Sequence, residues 1–244
     1  MRPKVSVLVP THQRPALLRD ALRSIHGQTM PRDRYEVIVA NDDTVPLADD
    51  VMDGLNGRVL QGPFGGCGAA LAAALKCAQG DYCTIAADDD LMLPDKLRCL
   101  SDALDQCGPE IVAVYGLPIY TTMAGGRMGC PPFMMAWQMM HPVVRFEHAV
   151  SGGLWAHGTA LLYRTDAVKR VGGFDPTMPT AEEYDMHLRL LRFAGDFKAV
   201  DAEVVTYRLG GKHRQYKNGR PREHMRRMWA KVATPTEPVL KQVA

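Results

Sequence analysis

The sequence predicts an α/β protein built on a mostly parallel sheet flanked by helices, and three observations carry that expectation. Short continuous apolar runs recur at residues 5–9, 35–40 and 82–86. Runs of that length between turn residues read as buried strands. Segments of helical periodicity lie between them, and this alternation needs parallel strands with covering helices. Finally, three strand ends carry polar residues: Thr11-His12-Gln13-Arg14, Asn41-Asp42-Asp43 and Asp88-Asp89-Asp90. Open α/β sheets bind ligands beyond the carboxyl ends of their strands. One polar strand end is a loop; three on one edge predict a ligand crevice.

Each element has its own local reason. The strand at 5–9 is ended by Pro10. Ala16, Leu17, Leu18, Ala21, Leu22 and Ile25 then fall at helical spacing. Pro15 takes a tolerated first-turn position, and Gly27 stands just past the end. After the strand at 35–40 come a weaker helix at 47–55, a short strand at 58–61 and an alanine-rich helix at 65–78. Gly80 turns the chain into the strand at 82–86, and the start signal Pro94-Asp95-Lys96 opens a helix over 96–107. Further strands are expected at 111–120, 159–163, 197–200 and 204–207, and helices at 165–171, 182–193 and 221–232. Residues 121–153, rich in Gly, Pro and Met, show little periodicity and read as a segment that covers or shapes a site. No repeat or linker divides the chain. One domain over 1–207, with halves at 1–110 and 111–207, is expected, followed by a basic extension over 208–244.

Bulk properties narrow the class. With 46% hydrophobic and 23% charged residues, the 244-residue chain is expected to be globular rather than disordered. The longest apolar stretch, 69–75, is too short to span a bilayer. No signal-like segment precedes the first strand, so a soluble, cytoplasmic protein without a transmembrane segment is expected. Six cysteines show neither a CxxC pair nor a His at zinc spacing, which predicts reduced, packed thiols. The net charge of +2 is unevenly placed: between residues 208 and 231, nine Lys or Arg face Glu223 alone. That asymmetry points to an anionic ligand or partner.

The acidic triplet Asp88-Asp89-Asp90 is the strongest chemical signal. Adjacent anions at a strand end repel each other, and a hard divalent cation with oxygen ligands is the usual reason a fold keeps them. Mg²⁺ held by one or two carboxylates shares its other positions with water and substrate phosphates, so a metal–diphosphate site is expected. The acids also suit the start of a helix, although Asp95 alone serves that purpose. The glycine-rich Gly62-Pro63-Phe64-Gly65-Gly66-Cys67-Gly68 is not a phosphate loop. No Lys-Ser/Thr follows the glycines, and Leu71 stands where the dinucleotide fingerprint needs a small residue. It reads as a loop with a tight helix entry.

Four blocks, in order, resemble the family 2 glycosyltransferases. They are Val5-Ser6-Val7-Leu8-Val9-Pro10-Thr11-His12-Gln13-Arg14; Val37-Ile38-Val39-Ala40-Asn41-Asp42-Asp43-Thr44; Asp88-Asp89-Asp90 with Pro94; and Gly172-Gly173-Phe174-Asp175 followed by Glu182-Glu183-Tyr184-Asp185 and Arg189. Each alone is weak, but their order over residues 4–210 is specific. The resemblance implies a GT-A type fold, a Rossmann-like sheet with a smaller acceptor-side subregion, and inverting transfer of a sugar from a nucleotide diphosphate, UDP foremost. It places Pro10, Thr11, His12, Arg14, Asp42 and Asp88 at the nucleotide, with Asp42 reading the base and His12 stacking on it. It places Mn²⁺ or Mg²⁺ on Asp89 and Asp90, with His213 as a further metal or phosphate contact. Ala87 stands where the family often has an acid, which shifts the burden to the triplet. Glu183 matches the catalytic base, usually Asp in the family, with Glu182 and Asp185 as its neighbours and His157 on the acceptor side.

Other readings compete. A solvated turn accounts for Asp42 and Asp43, an ordinary loop for His12 and His213, and an acidic first turn for Glu183. Two other functions compete as well: a nucleotidyltransferase acting on a sugar phosphate, and a non-catalytic nucleotide-sugar-binding module. The acceptor expected from the basic tail is a hydroxyl on an anionic polymer, such as DNA bearing hydroxylated bases, or a glycan.

Overall fold

A computed structural model of the chain describes residues 2–152, 156–178, 181–209 and 222–233. The expected contact His213 lies outside these residues, as does most of the basic stretch before residue 222. The first half runs β1 (Val5–Thr11), α1 (Pro15–His26), β2 (Tyr35–Asn41), β3 (Gly57–Gln61), α2 (Cys67–Cys77), β4 (Tyr82–Ile85), β5 (Leu91–Met92) and α3 (Lys96–Asp105). The second runs β6 (Ile111–Thr122), β7 (Arg127–Gly129), α4 (Pro132–Met140), β8 (Val143–Val144), α5 (Phe146–Gly152), β9 (Leu161–Arg164), α6 (Thr165–Arg170), α7 (Glu182–Phe193), β10 (Asp196–Leu209) and α8 (Arg222–Ala233).

All ten strands join one sheet, in the order β3-β2-β1-β4-β9-β6-β10-β5, with β7 on β6 and β8 on β10. Strands β3, β2, β1 and β4 are parallel. β9 enters antiparallel between β4 and β6, and β6 and β10 are again parallel. Thr11 pairs with Asn41, and Leu8 with Ile85. The register therefore brings Thr11, Asn41 and the loop that follows Ile85, with its three aspartates, to one edge of the sheet.

Both faces are covered, as the continuous apolar strands require. On one face Leu8, Ile38 and Ile85 pack with Leu71 and Ala74 of α2 and with Met186 and Leu190 of α7. On the other, Val7, Val9 and Val37 pack with Leu18 and Leu22 of α1 and with Leu97 and Leu100 of α3. Burial of each such Leu, Ile or Val contributes about 1.5–3 kcal/mol.

The structure departs from the sequence reading in four places, one of them at residues 159–160, expected as strand and found in the 3-10 turn Gly158–Ala160 before β9. Residues 47–55 form only a 3-10 turn, Asp49–Met52, with no fully buried residue, although Leu47, Val51, Met52 and Leu55 pack partly buried against the core. Residues 121–153 hold β7, α4, β8 and α5. The two strands expected near the end of the domain are one 14-residue strand, β10, with register shifts on either side of Glu203. Its polar Asp201-Ala202-Glu203 interrupts the apolar run without ending the pairing. No helix among the described residues is long and apolar enough to cross a membrane.

Candidate active site

A cavity of about 440 Å³ opens beyond the acidic strand end, and Asp89, Asp90, His157, Glu182 and Glu183 all line it. A larger opening, about 740 Å³, lies at the other end of β4 between Arg2, Gly80 and Lys169. Its cations are already engaged, Arg2 with Asp81 at 3.1 Å and Lys169 with the Ala78 carbonyl at 3.0 Å. The smaller cavity has the reactive groups.

Beside it, at the strand ends, lies a charge network. Thr11 Oγ1 donates to Asp88 Oδ2 at 2.8 Å, and Arg14 Nη1 reaches Asp88 Oδ1 at 3.0 Å and Asp89 Oδ2 at 3.1 Å. Burial raises the Asp88 pKa and outweighs the lowering by Arg14 and Thr11. Asp90 is also buried, and burial together with neighbouring Asp89 pushes it up to about 7. It accepts from Thr159 Oγ1 at 3.1 Å and from the Arg208 backbone N–H at 3.2 Å. The Arg208 side chain lies across the triplet, its Nε donating to the Asp89 carbonyl, while its buried Nη2 has no hydrogen-bond partner among the described residues. Behind them Lys96 is 1% exposed and donates to the Thr159 carbonyl at 2.6 Å. Burial pulls its pKa down to about 7, against the pull of Asp90.

These residues fit a divalent cation of the water- and phosphate-sharing kind. Asp89 is partly exposed into the cavity, and Asp90 is a buried carboxylate with no ion pair among the described residues. No group of three or more His, Cys, Asp or Glu is poised as a closed metal cage among the described residues. Two carboxylates with the remaining positions open is the arrangement Mg²⁺ commonly uses.

Asp42 and His12 sit at the neighbouring strand ends, and the Asp42 carboxylate is engaged by backbone. It accepts from the N–H groups of Phe64, Gly65 (2.9 Å) and Gly66 (2.7 Å), and His12 Nδ1 meets the Asp42 carbonyl oxygen. Asp42 thus shapes the glycine-rich loop. The tight helix entry has a steric cause: a Cβ at Gly68 would stand 2.8 Å from the Asp175 carbonyl oxygen and 3.3 Å from Glu182 Cβ. Glycine there lets α2 close on the segment that carries the acids of α7.

The opposite wall is the start of α7. Ala181, just before Glu182, holds a left-handed φ of 64°, and Gln13, between Thr11 and Arg14, holds 55°. Such strained non-glycine residues cluster at functional sites. Glu183 is half-buried and presses on Gly158, where a Cβ would lie 1.8 Å from Glu183 Oε2. Glu182 is buried, with no hydrogen-bond partner for Oε2 among the described residues. Asp185 turns away from the cavity: it is 1% exposed, bound by Arg189 Nη2 at 2.6 Å and by Lys231 Nζ at 2.7 Å. Arg189 also donates to the carbonyls of Val171 and Gly173 (2.7 Å) and so locks the Gly172-Gly173 turn to α7. His157 does line the cavity. Its Nε2 contacts the Tyr120 hydroxyl, and its ring lies 4.6 Å from that of Tyr207. Tyr120, Tyr207, Gly158, Thr159 and Lys96 had escaped sequence reasoning. Each is a lone residue on a strand, turn or helix start, and its role comes only from folding.

Against known proteins, the profile of the family described as Glycosyl transferase family 2 matches residues 6–131. That is more than half of the chain, and the chain belongs to this family. An uncharacterized glycosyltransferase of Rickettsia typhi is 23% identical over 215 residues, 83% of this chain and 63% of that protein. The probable glycosyltransferase YdaM of Bacillus subtilis is 24% identical over 228 residues, 83% of this chain and 50% of that protein. The chain thus spans less than two thirds of the length of these relatives. Among solved structures, Staphylococcus aureus TarS 1-349 in complex with UDP-GlcNAc superposes with a TM-score of 0.73 at 19% identity, over 98% of this chain and 69% of that one. The mannosyltransferase PcManGT of Pyrobaculum calidifontis, in complex with GDP-Man and Mn²⁺, gives 0.67 at 21% identity, over 100% of this chain and 68% of that one. The fold is GT-A.

Proposed function

We propose that the chain moves a sugar from a nucleotide diphosphate, UDP foremost, to an acceptor hydroxyl with inversion at the anomeric carbon and with a divalent metal at Asp89 and Asp90. The observation that carries this reading is that Asp89, Asp90 and Glu183 wall a single cavity. TarS holds UDP-GlcNAc and PcManGT holds GDP-Man with Mn²⁺, which supports a nucleotide-sugar donor and a metal here. Thr11, Arg14, Asp42 and Asp88 seat the nucleotide. Glu183 takes the acceptor hydroxyl's proton as the oxygen attacks the anomeric carbon. The bond from that carbon to the diphosphate breaks on the opposite face, and the diphosphate leaves with the bonding electrons. A metal bound at Asp89 and Asp90 supplies charge neutralisation of the leaving diphosphate. A hydroxyl on an anionic polymer has less support from the tail than the sequence offered, since Lys231 and Arg227 are spent on Asp175, Asp185 and Thr177.

The test is Glu183→Gln, assayed with a panel of UDP-, GDP- and TDP-sugars. Donor affinity is expected to hold within about twofold. Turnover is expected to fall by about 10²–10⁴, the usual contribution of a positioned base. Unchanged turnover moves the role to Glu182, whose carboxylate lines the same cavity.

A further inference from the structure

Helix α4 carries an apolar face where a surface helix is usually polar. Residues 128–140, Met-Gly-Cys-Pro-Pro-Phe-Met-Met-Ala-Trp-Gln-Met-Met, include no charged side chain. The one amide among them, Gln138, faces inward and donates to the Val200 carbonyl at 2.9 Å. Met134 and Trp137 are buried beside it. The outer face is left wholly apolar: Pro132, Phe133, Met135, Ala136, Met139 and Met140 are all exposed, Met139 by 81%. Spacings of three and four residues join these side chains into one stripe. From Phe133 to Met140 the stripe runs about 10 Å at the rise of an α-helix. Contiguous apolar surface of this kind marks an interaction site.

The stripe begins in the active-site cavity. Phe133 and Met134 line the same space as Glu183, Asp89 and Asp90. The Tyr120 hydroxyl lies 3.5 Å from Met134 Sδ, which ties α4 to the wall formed with His157. A molecule whose hydroxyl sits at Glu183 and which extends toward α4 meets Phe133 first and the outer methionines next. Methionine is unbranched and adapts to ligands of no fixed shape, as a hydrocarbon chain is. A protein partner seated on the stripe would cap the cavity mouth that the stripe adjoins; the acceptor's own tail would not.

We infer that the acceptor is an amphiphile: a polar head bearing the reactive hydroxyl, continued by a hydrocarbon chain that lies along Phe133, Met135, Met139 and Met140. The inference rests on the proposed transfer reaction for its head group and on the exposed stripe for its tail.

The experiment titrates the full chain with UDP and then with methyl, butyl and octyl β-glucoside, each kept below its micellar concentration. One fully buried methylene is worth about 0.8 kcal/mol, or about fourfold in affinity. With part of the tail buried, octyl β-glucoside is expected to bind at least about tenfold tighter than the butyl compound. The double substitution Met139→Glu, Met140→Glu changes exposed side chains only. It is expected to bring octyl and butyl to within about twofold while UDP affinity holds. Equal affinities across the series overturn the inference, as does an octyl advantage that survives the double substitution. A dimer that the double substitution dissolves, with no chain-length dependence, assigns the stripe to a second copy of the chain and also overturns it. Nucleotide binding separates the two readings. UDP bound without chain-length dependence removes the amphiphile alone; chain-length dependence without UDP binding removes the transfer reading and leaves the groove.

Discussion

Glu183 keeps its position because residue 158 has no side chain. A methyl group there would overlap the carboxylate, since its Cβ would stand 1.8 Å from Oε2. Gly158 opens the turn Gly158–Ala160 that leads into β9, so the backbone is fixed and the side chain of Glu183 must yield. The expected result for Gly158→Ala is therefore a displaced carboxylate on an intact fold. A displacement near 1 Å at a reacting group costs about 10²-fold in rate. Turnover is expected to fall by about that factor, with the dissociation constant for UDP unchanged. A variant that loses both equally, or neither, contradicts this placement. Thr159 next in sequence binds Asp90, and its carbonyl receives Lys96. One three-residue turn thus touches the expected base on one side and the acidic triplet on the other.

At the scale of elements, α7 presents Glu182 and Glu183 because three anchors hold it. Arg189 fastens it to the Gly172-Gly173 turn, Gly68 lets α2 approach its first turn, and Lys231 of α8 bridges Asp185 and Asp175 at 2.7 Å each. Burial of Asp175 raises its pKa, but the Lys231 hydrogen bond and the Thr177 donors outweigh it and hold the group at about 2. A carboxyl held below its unfolded value of 3.8 contributes stability that is present above pH 3.8 and is lost as pH falls toward 2. The size is about 1 kcal/mol once solvent screening of this partly exposed pair is allowed for. Lys231→Met should return Asp175 toward the ordinary carboxylate range, flatten the acid limb of stability between pH 4 and 2 (roughly the window of that shift), and lower Tm at pH 7 by about 2–8 °C. Thermal unfolding across that pH range checks it; an unaltered acid limb assigns the slope to other carboxylates. The block from Gly172 to Arg189 was legible in the sequence because its residues lie close along the chain and act through backbone turns and a helix start. The parallel half of the sheet was legible for a similar reason, since β1, β2 and β4 are short, mostly apolar and fully or almost fully buried runs. α4 was not, because its outer face is as apolar as its inner one and the period that marks a surface helix is missing. Tyr120, Gly158 and Tyr207 were not, because β6, the turn before β9 and β10 meet only through pairing across the sheet.

At the scale of the whole molecule, the fold gathers acids at one sheet edge and only partly balances them. Arg14 is shared between Asp88 and Asp89, and the side chain of Arg208 reaches the Asp89 carbonyl and Asp20 rather than a carboxylate of the triplet. Asp90 has hydrogen bonds from Thr159 and from the Arg208 backbone but no ion pair among the described residues. A nucleotide diphosphate entering this edge adds further negative charge within a few ångströms. At a partly buried site, like charges 4 Å apart repel by about 4 kcal/mol at an effective dielectric near 20. Without an added cation, these carboxylates oppose the proposed nucleotide ligand. UDP is therefore expected to bind at least about tenfold tighter in Mn²⁺ than in EDTA, about 1.4 kcal/mol of the repulsion relieved. Asp89→Ala removes both an anion and a proposed metal ligand, and the two effects have opposite signs. In Mn²⁺ the loss of the ligand should dominate and UDP affinity should fall; in EDTA the loss of the anion should leave affinity unchanged or slightly improved. Calorimetric titration of both proteins in both buffers separates the terms. An equal loss in Mn²⁺ and in EDTA would mean that Asp89 supports the fold of this edge rather than the charge of its ligand.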